Sequence, residues 1–233
     1  MGTRYPALPS APVGDQWPTI DELVVGDEPE AWRGVGFAVD PDGVCRIGTV
    51  RVRLAGRGVG KGLRTWSLRD LPTEPSDPAV VSGITTSAGD EPPATPAEHP
   101  NGTVSIDHVV LMSPNGERTC AEVSAATGLD VLRTRDTDTY GAPMRQWFFR
   151  LGGVVLELVA PQEPSGDGPA RYFGLALTVA DLDTLPERFG QHLGRVKDAV
   201  QPGRRIATLR HKDLGLSIPI AFMSPEPQPA SPR

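Results

Sequence analysis

The feature that most constrains how this chain folds is a repeated order of strand, helix and further strands. The order is clearest over residues 105–161, where an apolar strand precedes a helix whose apolar positions lie three or four residues apart. Gly128 is a typical helix stop, and Gly152-Gly153 is a typical two-residue hairpin turn between the last two strands. A helix of this kind packs on one face of a sheet, so the order predicts an α+β fold.

The same order recurs on both sides of this segment. Residues 20–24 match 106–110, residues 48–54 match 152–158, and residues 63–71 match 174–182. Such internal similarity indicates a chain built from one repeated unit. We therefore predict a pair of βαβββ modules over residues 104–224. A degenerate half-module, followed by the opening strand of another, is predicted over residues 19–71.

Proline-rich stretches separate and flank these modules. The 25 prolines cluster in residues 5–18, 72–100 and 225–232, and these stretches show no apolar periodicity. Such segments bury too little apolar surface to offset the entropy of ordering the chain. We therefore predict a disordered lead over residues 1–18, a linker over 72–103 and a tail over 225–233.

Charge and hydropathy exclude several classes of partner. A net charge of −6 does not fit a nucleic-acid-binding face, which must be basic. No apolar run approaches the roughly 20 residues that span a bilayer, and the N-terminus lacks the pattern of a signal peptide. The two cysteines show no metal-type spacing and are expected to be reduced thiols. The sequence predicts a cytoplasmic protein with no nucleic-acid or membrane partner.

The tandem βαβββ unit, with His108 on its first strand and Glu157 on its fourth, resembles the vicinal oxygen chelate superfamily of glyoxalases, extradiol dioxygenases and bleomycin-resistance proteins. The phrase from Leu175 to Asp183 resembles the way these proteins enter a second half. In its layout, the chain resembles actinobacterial glyoxalase-like proteins. The resemblance implies a cup-shaped sheet with helices outside and a small-molecule ligand inside. It also favours a homodimer, because superfamily members often pair modules between chains.

Strand alternation sorts the residues of the central module into two faces. The hairpin turn places Glu157 opposite Phe148, with Gln146 and Arg150 on the same side. Trp147 and Phe149 fall on the other side, under the helix. The pattern predicts a cup lined by Ile106, His108, Val110, Gln146, Phe148, Arg150 and Glu157.

The resemblance implies a divalent metal (Zn, Ni, Mn or Fe) held by one His or Gln and one Glu from each half. His108 and Glu157 match one such pair, but Gly174 stands at the second His position. Pro219 or Ala221 stands at the second Glu position. The predicted metal site is therefore incomplete. The alternative is that His108, Gln146 or Arg150 satisfies Glu157 without any metal.

Two further pairs of residues bear on what the modules can bind. In the N-terminal half, Glu22 and Arg53 stand at the paired positions, and such an opposite-charge pair cannot chelate a metal. In the last module, a turn delivers Arg204 and Arg205 to the start of a strand. Together with Arg145 and Arg150, they are candidates for binding a carboxylate or another anion, the alternative being arginines that are only solvated.

The sequence leaves two main functions open. The first is a metal-assisted enzyme of the lyase, isomerase or dioxygenase type, in which Glu157 would move a proton on a substrate with adjacent oxygens. The second is a metal-free protein that binds or sequesters a small apolar or anionic compound. A third reading is that the N-terminal half fills the cup or covers the sheet edge and the protein mainly contacts other proteins.

Overall fold

The computed structural model describes residues 17–72, 79–138 and 141–227. Predictions for the lead, for part of the linker and for the end of the tail lie outside these residues. The strands are β1 (Thr19–Val25), β2 (Val44–Ile47), β3 (Val50–Leu54), β4 (Leu63–Arg69), β5 (Ala79–Val81), β6 (Ile84–Ala88), β7 (Thr103–Met112), β8 (Arg133–Thr137), β9 (Met144–Leu151), β10 (Val154–Pro161), β11 (Arg171–Val179), β12 (Lys197–Asp198), β13 (Arg205–Thr208) and β14 (Ile220–Met223). The α-helices are α1 (Pro29–Gly34), α2 (Gly116–Thr127) and α3 (Leu185–Phe189).

The described strands form two mixed sheets of the same design. The N-terminal sheet has the order β2-β3-β1-β4-β6-β5, and the C-terminal sheet has the order β12-β13-β14-β11-β7-β10-β9-β8. In each sheet two antiparallel strands meet at the centre, β1 with β4 and β7 with β11. Each central strand also runs parallel to the last strand of its own module. The C-terminal sheet is the predicted pair of βαβββ modules, and the α+β fold class is confirmed.

The predicted linker is not free of structure, because it contains β5 and β6. The strand β6 runs parallel to β4 from Thr85 to Ala88, and β5 pairs with β6 as a hairpin. These two strands extend the second half of the N-terminal sheet to three strands, where the sequence predicted only an opening strand. They escaped prediction because they are three and five residues long and β6 is rich in Thr and Ser.

The rest of the predicted linker protects an edge of the N-terminal sheet. The backbone N–H of Ala94 donates to the Thr49 carbonyl at 3.0 Å, and that of Ala97 donates to the Arg46 carbonyl at 3.1 Å. The Arg46 guanidinium holds the same segment through the Thr95 carbonyl at 2.8 Å. An open strand edge pairs readily with other chains, so this segment covers a surface that would otherwise favour aggregation.

The helix α2 packs on the C-terminal sheet as its periodicity predicts. The Asn115 side chain caps its first turn by accepting from the Arg118 N–H at 3.1 Å, and Gly128 ends it in the left-handed conformation with φ of 70°. Trp147 and Phe149 lie in the core, as expected from the alternation along β9. The helix α2 thus covers one face of the C-terminal sheet, and the opposite face forms the inside of the cup.

Replacing Gly116 with alanine is expected to lower the free energy of unfolding by about 1–3 kcal/mol, the usual effect of overpacking a core. A Cβ at Gly116 would lie 2.3 Å from the Trp147 ring and 2.9 Å from the Ala160 Cβ. Urea denaturation would measure the change. Gly153→Ala is the control, because a Cβ there meets nothing within 4 Å. Equal stability of the two variants would contradict close packing at the start of α2.

Candidate small-molecule site

The inner face of the C-terminal sheet encloses a cavity of 340 Å³, within the usual size range of small-molecule pockets. Both modules contribute to its wall, and the hairpin between β12 and β13 covers one side. The polar lining consists of His108, Arg133, Arg135, Gln146, Glu157, Lys197, Asp198 and Gln201. The apolar lining includes Phe148, Ala176, Val200, Ile206 and Met223.

A β-bulge in β7 shapes the floor of this cavity. Ala176 pairs with His108 and Leu177 pairs with Ile106, so Asp107 is an extra residue without a partner on β11. The bulge breaks the alternation on which the predicted faces relied. Ile106, predicted in the cup, is therefore packed in the hydrophobic core.

The bulge brings the side chains of two consecutive residues together. Oδ1 of Asp107 lies 2.5 Å from Nδ1 of His108, and the His108 side chain is 8% exposed. Oδ2 of Asp107 lies 2.6 Å from Nη2 of Arg204 and accepts a hydrogen bond from the Thr178 hydroxyl at 3.0 Å. Arg204 also donates to the Ser224 carbonyl at 2.9 Å. Both oxygens of this carboxylate are thus held in place.

Asp107 remains ionised in this network. Burial alone would raise the pKa of its carboxyl. The hydrogen bonds and charges of His108 and Arg204 outweigh burial and hold that pKa well below its ordinary value. A carboxylate that stays ionised can only accept hydrogen bonds, so the groups around it must be donors.

A second series of hydrogen-bonded polar side chains lies on the β9–β10 side of the cavity. Nε2 of Gln146 donates to Oε1 of Glu157, and Oε1 of Gln146 accepts from Nε of Arg135 at 2.7 Å. This pattern fixes the orientation of the Gln146 amide, because only its nitrogen can donate to a carboxylate. Beside it, the guanidinium of Arg133 stacks on the Phe148 ring at 4.4 Å from the centroid. Glu157 lies opposite Phe148, as the predicted hairpin requires.

The structure brings four of the predicted site residues together in the cavity: His108, Gln146, Phe148 and Glu157. Arg150 pairs across the hairpin with Val155 and does not line the cavity. The two predicted anion-binding residues of the turn are held elsewhere. Arg204 is buried against Asp107, and Arg205 forms an exposed pair with Asp183 at 2.7 Å.

Sequence reasoning missed Asp107, Arg135 and Lys197 as part of the site or its support. Arg135 belongs to the short strand β8, and Lys197 belongs to β12, which has only two residues. Neither strand shows an alternation from which a face can be read. Asp107 carried a usable signal, because a charged residue beside His108 in an apolar strand requires a partner.

The donor atoms present do not fit a divalent metal site. No group of three His, Cys, Asp or Glu side chains that could hold a metal occurs among residues 17–72, 79–138 and 141–227. Asp107 holds Nδ1 of His108, so this residue offers a single nitrogen, Nε2, and Glu157 is bonded to Gln146. The first and last strands of the last module, β11 and β14, contribute Ala176 and Met223 to the lining, and neither side chain offers an oxygen or nitrogen ligand. Two protein ligands fall short of the three or four that hold zinc stably.

The N-terminal sheet repeats half of this arrangement. Asp21 is likewise an extra residue at a bulge, and its carboxylate lies 2.6 Å from Nη1 of Arg69 and 3.2 Å from the Ser67 hydroxyl. At the positions that correspond to His108 and Glu157, Glu22 and Arg53 form the expected ion pair at 2.8 Å. The aspartate, arginine and hydroxyl are thus common to both sheets, while the histidine occurs in only one.

No protein-family model and no curated protein sequence matches the chain. Among solved structures, a mutant of 4-hydroxymandelate synthase from Streptomyces coelicolor is similar over 91% of this chain and 94% of its own, with a TM-score of 0.59 and 15% identity. Methylmalonyl-CoA epimerase from Mycobacterium tuberculosis matches 55% of this chain and 91% of its own, with a TM-score of 0.45 and 20% identity. A variant of the Streptomyces coelicolor epimerase, in complex with 2-nitronate-propionyl-CoA, matches 56% and 99%, with a TM-score of 0.43 and 20% identity.

At these identities a structural likeness shows the fold and leaves the chemistry to the site itself. The likeness to the synthase extends over both sheets of this chain, because it covers 91% of the residues. The predicted resemblance is confirmed at this level. The chain has the fold of the vicinal oxygen chelate superfamily.

Proposed function

We propose that the cup of the C-terminal sheet binds a small organic molecule and that it does so without a resident metal. The observation that carries this proposal is the cavity into which His108, Gln146, Phe148 and Glu157 converge. Polar groups that converge in a pocket beside apolar side chains are typical of a ligand site. The proposal favours the metal-free function over the metal-assisted lyase, isomerase or dioxygenase, because the donor set is too small for a stable metal site.

The charges of the lining favour an anionic ligand, and Phe148 favours an apolar one. Three cationic side chains, those of Arg133, Arg135 and Lys197, face two anionic ones, those of Glu157 and Asp198. The lining therefore carries a positive excess although the whole chain has a net charge of −6. A ligand carboxylate near Arg135 would keep its charge paired, and an apolar body would lie against Phe148.

Filling the cavity with a large side chain tests this proposal. Wild-type protein is screened by thermal shift and calorimetry against methylglyoxal, catechol, benzoate and related small acids. Ala176→Phe is expected to weaken binding of any hit at least tenfold, about 1.4 kcal/mol, because Ala176 lines the cavity. Arg150→Ala is the control and should bind as wild type does. Unchanged binding by Ala176→Phe would place the site outside the cup.

Metal analysis of the purified protein tests whether the cup lacks a resident metal. Protein purified without chelators, wild type and His108→Ala, is analysed for metals by plasma mass spectrometry after soaking with Zn, Ni, Mn or Fe. We expect far less than one equivalent in both proteins. Near-stoichiometric metal that His108→Ala loses would contradict the proposal and restore the metal-assisted alternative.

Oligomeric state and location stay predictions. The composition of the sequence predicts a cytoplasmic location, and the superfamily resemblance favours a homodimer. Within the described residues, no helix is long and apolar enough to cross a membrane. Light scattering of the purified protein would test the dimer.

A further inference from the structure

We propose that Asp107 is a positioning residue that holds His108 as its Nδ1-protonated tautomer, so that Nε2 of His108 is the proton acceptor that the cup presents to its ligand. This inference rests on the proposed function, because it assigns a role within the same cavity. It adds the chemical requirement that a ligand must meet.

The geometry of the Asp107–His108 pair sets the tautomer. Oδ1 of Asp107 lies 2.5 Å from Nδ1 of His108, so close that two lone pairs would repel each other and a hydrogen must lie between the two atoms. An ionised carboxylate has no proton to donate, so Nδ1 must carry the hydrogen. In a neutral imidazole the other ring nitrogen then has a free lone pair and acts as an acceptor. Nε2 makes no hydrogen bond to any residue that the structure describes, and the ring lines the cavity.

Asp107 has no freedom to turn away from the histidine. Its second oxygen is held by Arg204 at 2.6 Å and by Thr178 at 3.0 Å. Arg204 is itself fixed by the Ser224 carbonyl, and its side chain is 4% exposed. A histidine oriented by a carboxylate that is in turn fixed by other groups is the arrangement in which a ring nitrogen is kept ready for proton transfer.

The N-terminal sheet shows that the aspartate does not need a histidine to be satisfied. Asp21, at the corresponding bulge, is fully paired by Arg51 at 2.7 Å and by Arg69 at 2.6 Å. The neighbouring residue there is Glu22, which pairs with Arg53. If His108 served only to neutralise a buried carboxylate, an arginine would do so equally well, as it does in that sheet. The presence of a histidine at position 108 is therefore explained better by its second ring nitrogen, Nε2, which faces the cavity.

An acceptor at the floor of the cup selects ligands with a donor. The matching chemistry is a hydroxyl group, or an acidic C–H beside a carbonyl, on a small molecule. In a proton transfer, the ligand O–H or C–H bond would break and its proton would bind Nε2. The resulting imidazolium would be stabilised by Asp107, and the ligand anion would share the cavity with Arg135. Return of the proton restores both partners.

The test is nitrogen NMR of the ¹⁵N-labelled full chain at a pH where its histidines are neutral. The His108 ring signals are assigned by their loss in His108→Gln. We expect a protonated Nδ1, an unprotonated Nε2 and a strongly deshielded Nδ1–H proton that exchanges slowly with solvent. An Nε2-protonated ring, an equal mixture of tautomers, or an ordinary Nδ1–H signal in the wild type would overturn the proposal.

Two matched variants separate positioning from general stability. Asp107→Asn is expected to populate the Nε2-protonated tautomer, and Asp21→Asn is expected to leave the His108 signals unchanged. An unchanged tautomer in folded Asp107→Asn would refute the role of Asp107. If that variant does not fold, the wild-type signals still decide the question. The tautomer is read in the ligand-free protein, so a failure to bind small molecules would count against the proposed function and not against this inference.

Discussion

Replacing Arg204 with methionine is expected to lower the free energy of unfolding by about 3–5 kcal/mol, the range found when one partner of a buried ion pair is removed. Arg204 and Asp107 have side chains that are 4% and 13% exposed, with 2.6 Å between the charged atoms. Without the guanidinium, the carboxylate would keep only His108 and the Thr178 hydroxyl as partners. Urea denaturation at neutral pH measures the loss.

The adjacent Arg205 is the matched control. It pairs with Asp183 through two hydrogen bonds of 2.7 Å, but both side chains are largely in solvent. Exposed pairs contribute little, so Arg205→Met should change stability only slightly. The double variant Asp107→Asn/Arg204→Met should be more stable than the sum of the single losses predicts, because neither charge is left alone. Equal losses from Arg204→Met and Arg205→Met would show that burial of the first pair has no energetic consequence.

These two arginines also show the limit of prediction from sequence. They are neighbours of the same type, and the sequence made both candidates for an anion site, with solvated arginines as the alternative. Their environments differ because a bulge in β7, about 100 residues away along the chain, places the Asp107 carboxylate beside Arg204. A bulge changes strand alternation locally and leaves no residue pattern, so Ile106 was misassigned to the cup for the same reason.

The features that could be predicted from the sequence are those set by residues close together in the chain, such as a hairpin turn and the alternation of side chains along a strand. Gly152 and Gly153 fix the hairpin turn, and the turn fixes which residue faces Glu157. Alternation then assigns Gln146 and Phe148 to the cup and Trp147 to the core, all as the structure has them. The strand β6 depends instead on parallel pairing with β4 across a proline-rich segment, and nothing in its own five residues indicates this.

Replacing Trp66 with alanine is expected to cost about 3–5 kcal/mol of unfolding free energy, the usual loss for a large buried aromatic side chain. Trp66 is 2% exposed. Its indole N–H donates to the Thr86 hydroxyl at 2.7 Å, which joins β4 to β6. Its ring meets Tyr172 of β11 edge to face, with centroids 5.9 Å apart. One side chain thus ties the unpredicted strand of the N-terminal sheet to a central strand of the C-terminal sheet.

The Trp66 variants also test whether the two sheets unfold together. Thr86→Val removes the hydrogen bond with Trp66 and the one that the Thr86 hydroxyl donates to the Ile84 carbonyl, and it should cost about 1–2 kcal/mol. Trp66→Phe should fall between Thr86→Val and Trp66→Ala. If packing against Tyr172 couples the sheets, Trp66→Ala lowers one cooperative transition, seen identically by near- and far-ultraviolet circular dichroism. Two separate transitions would show that the N-terminal sheet unfolds alone. Because β11 also carries Ala176, which lines the cup, coupled unfolding would mean that the N-terminal sheet supports the wall of the small-molecule site.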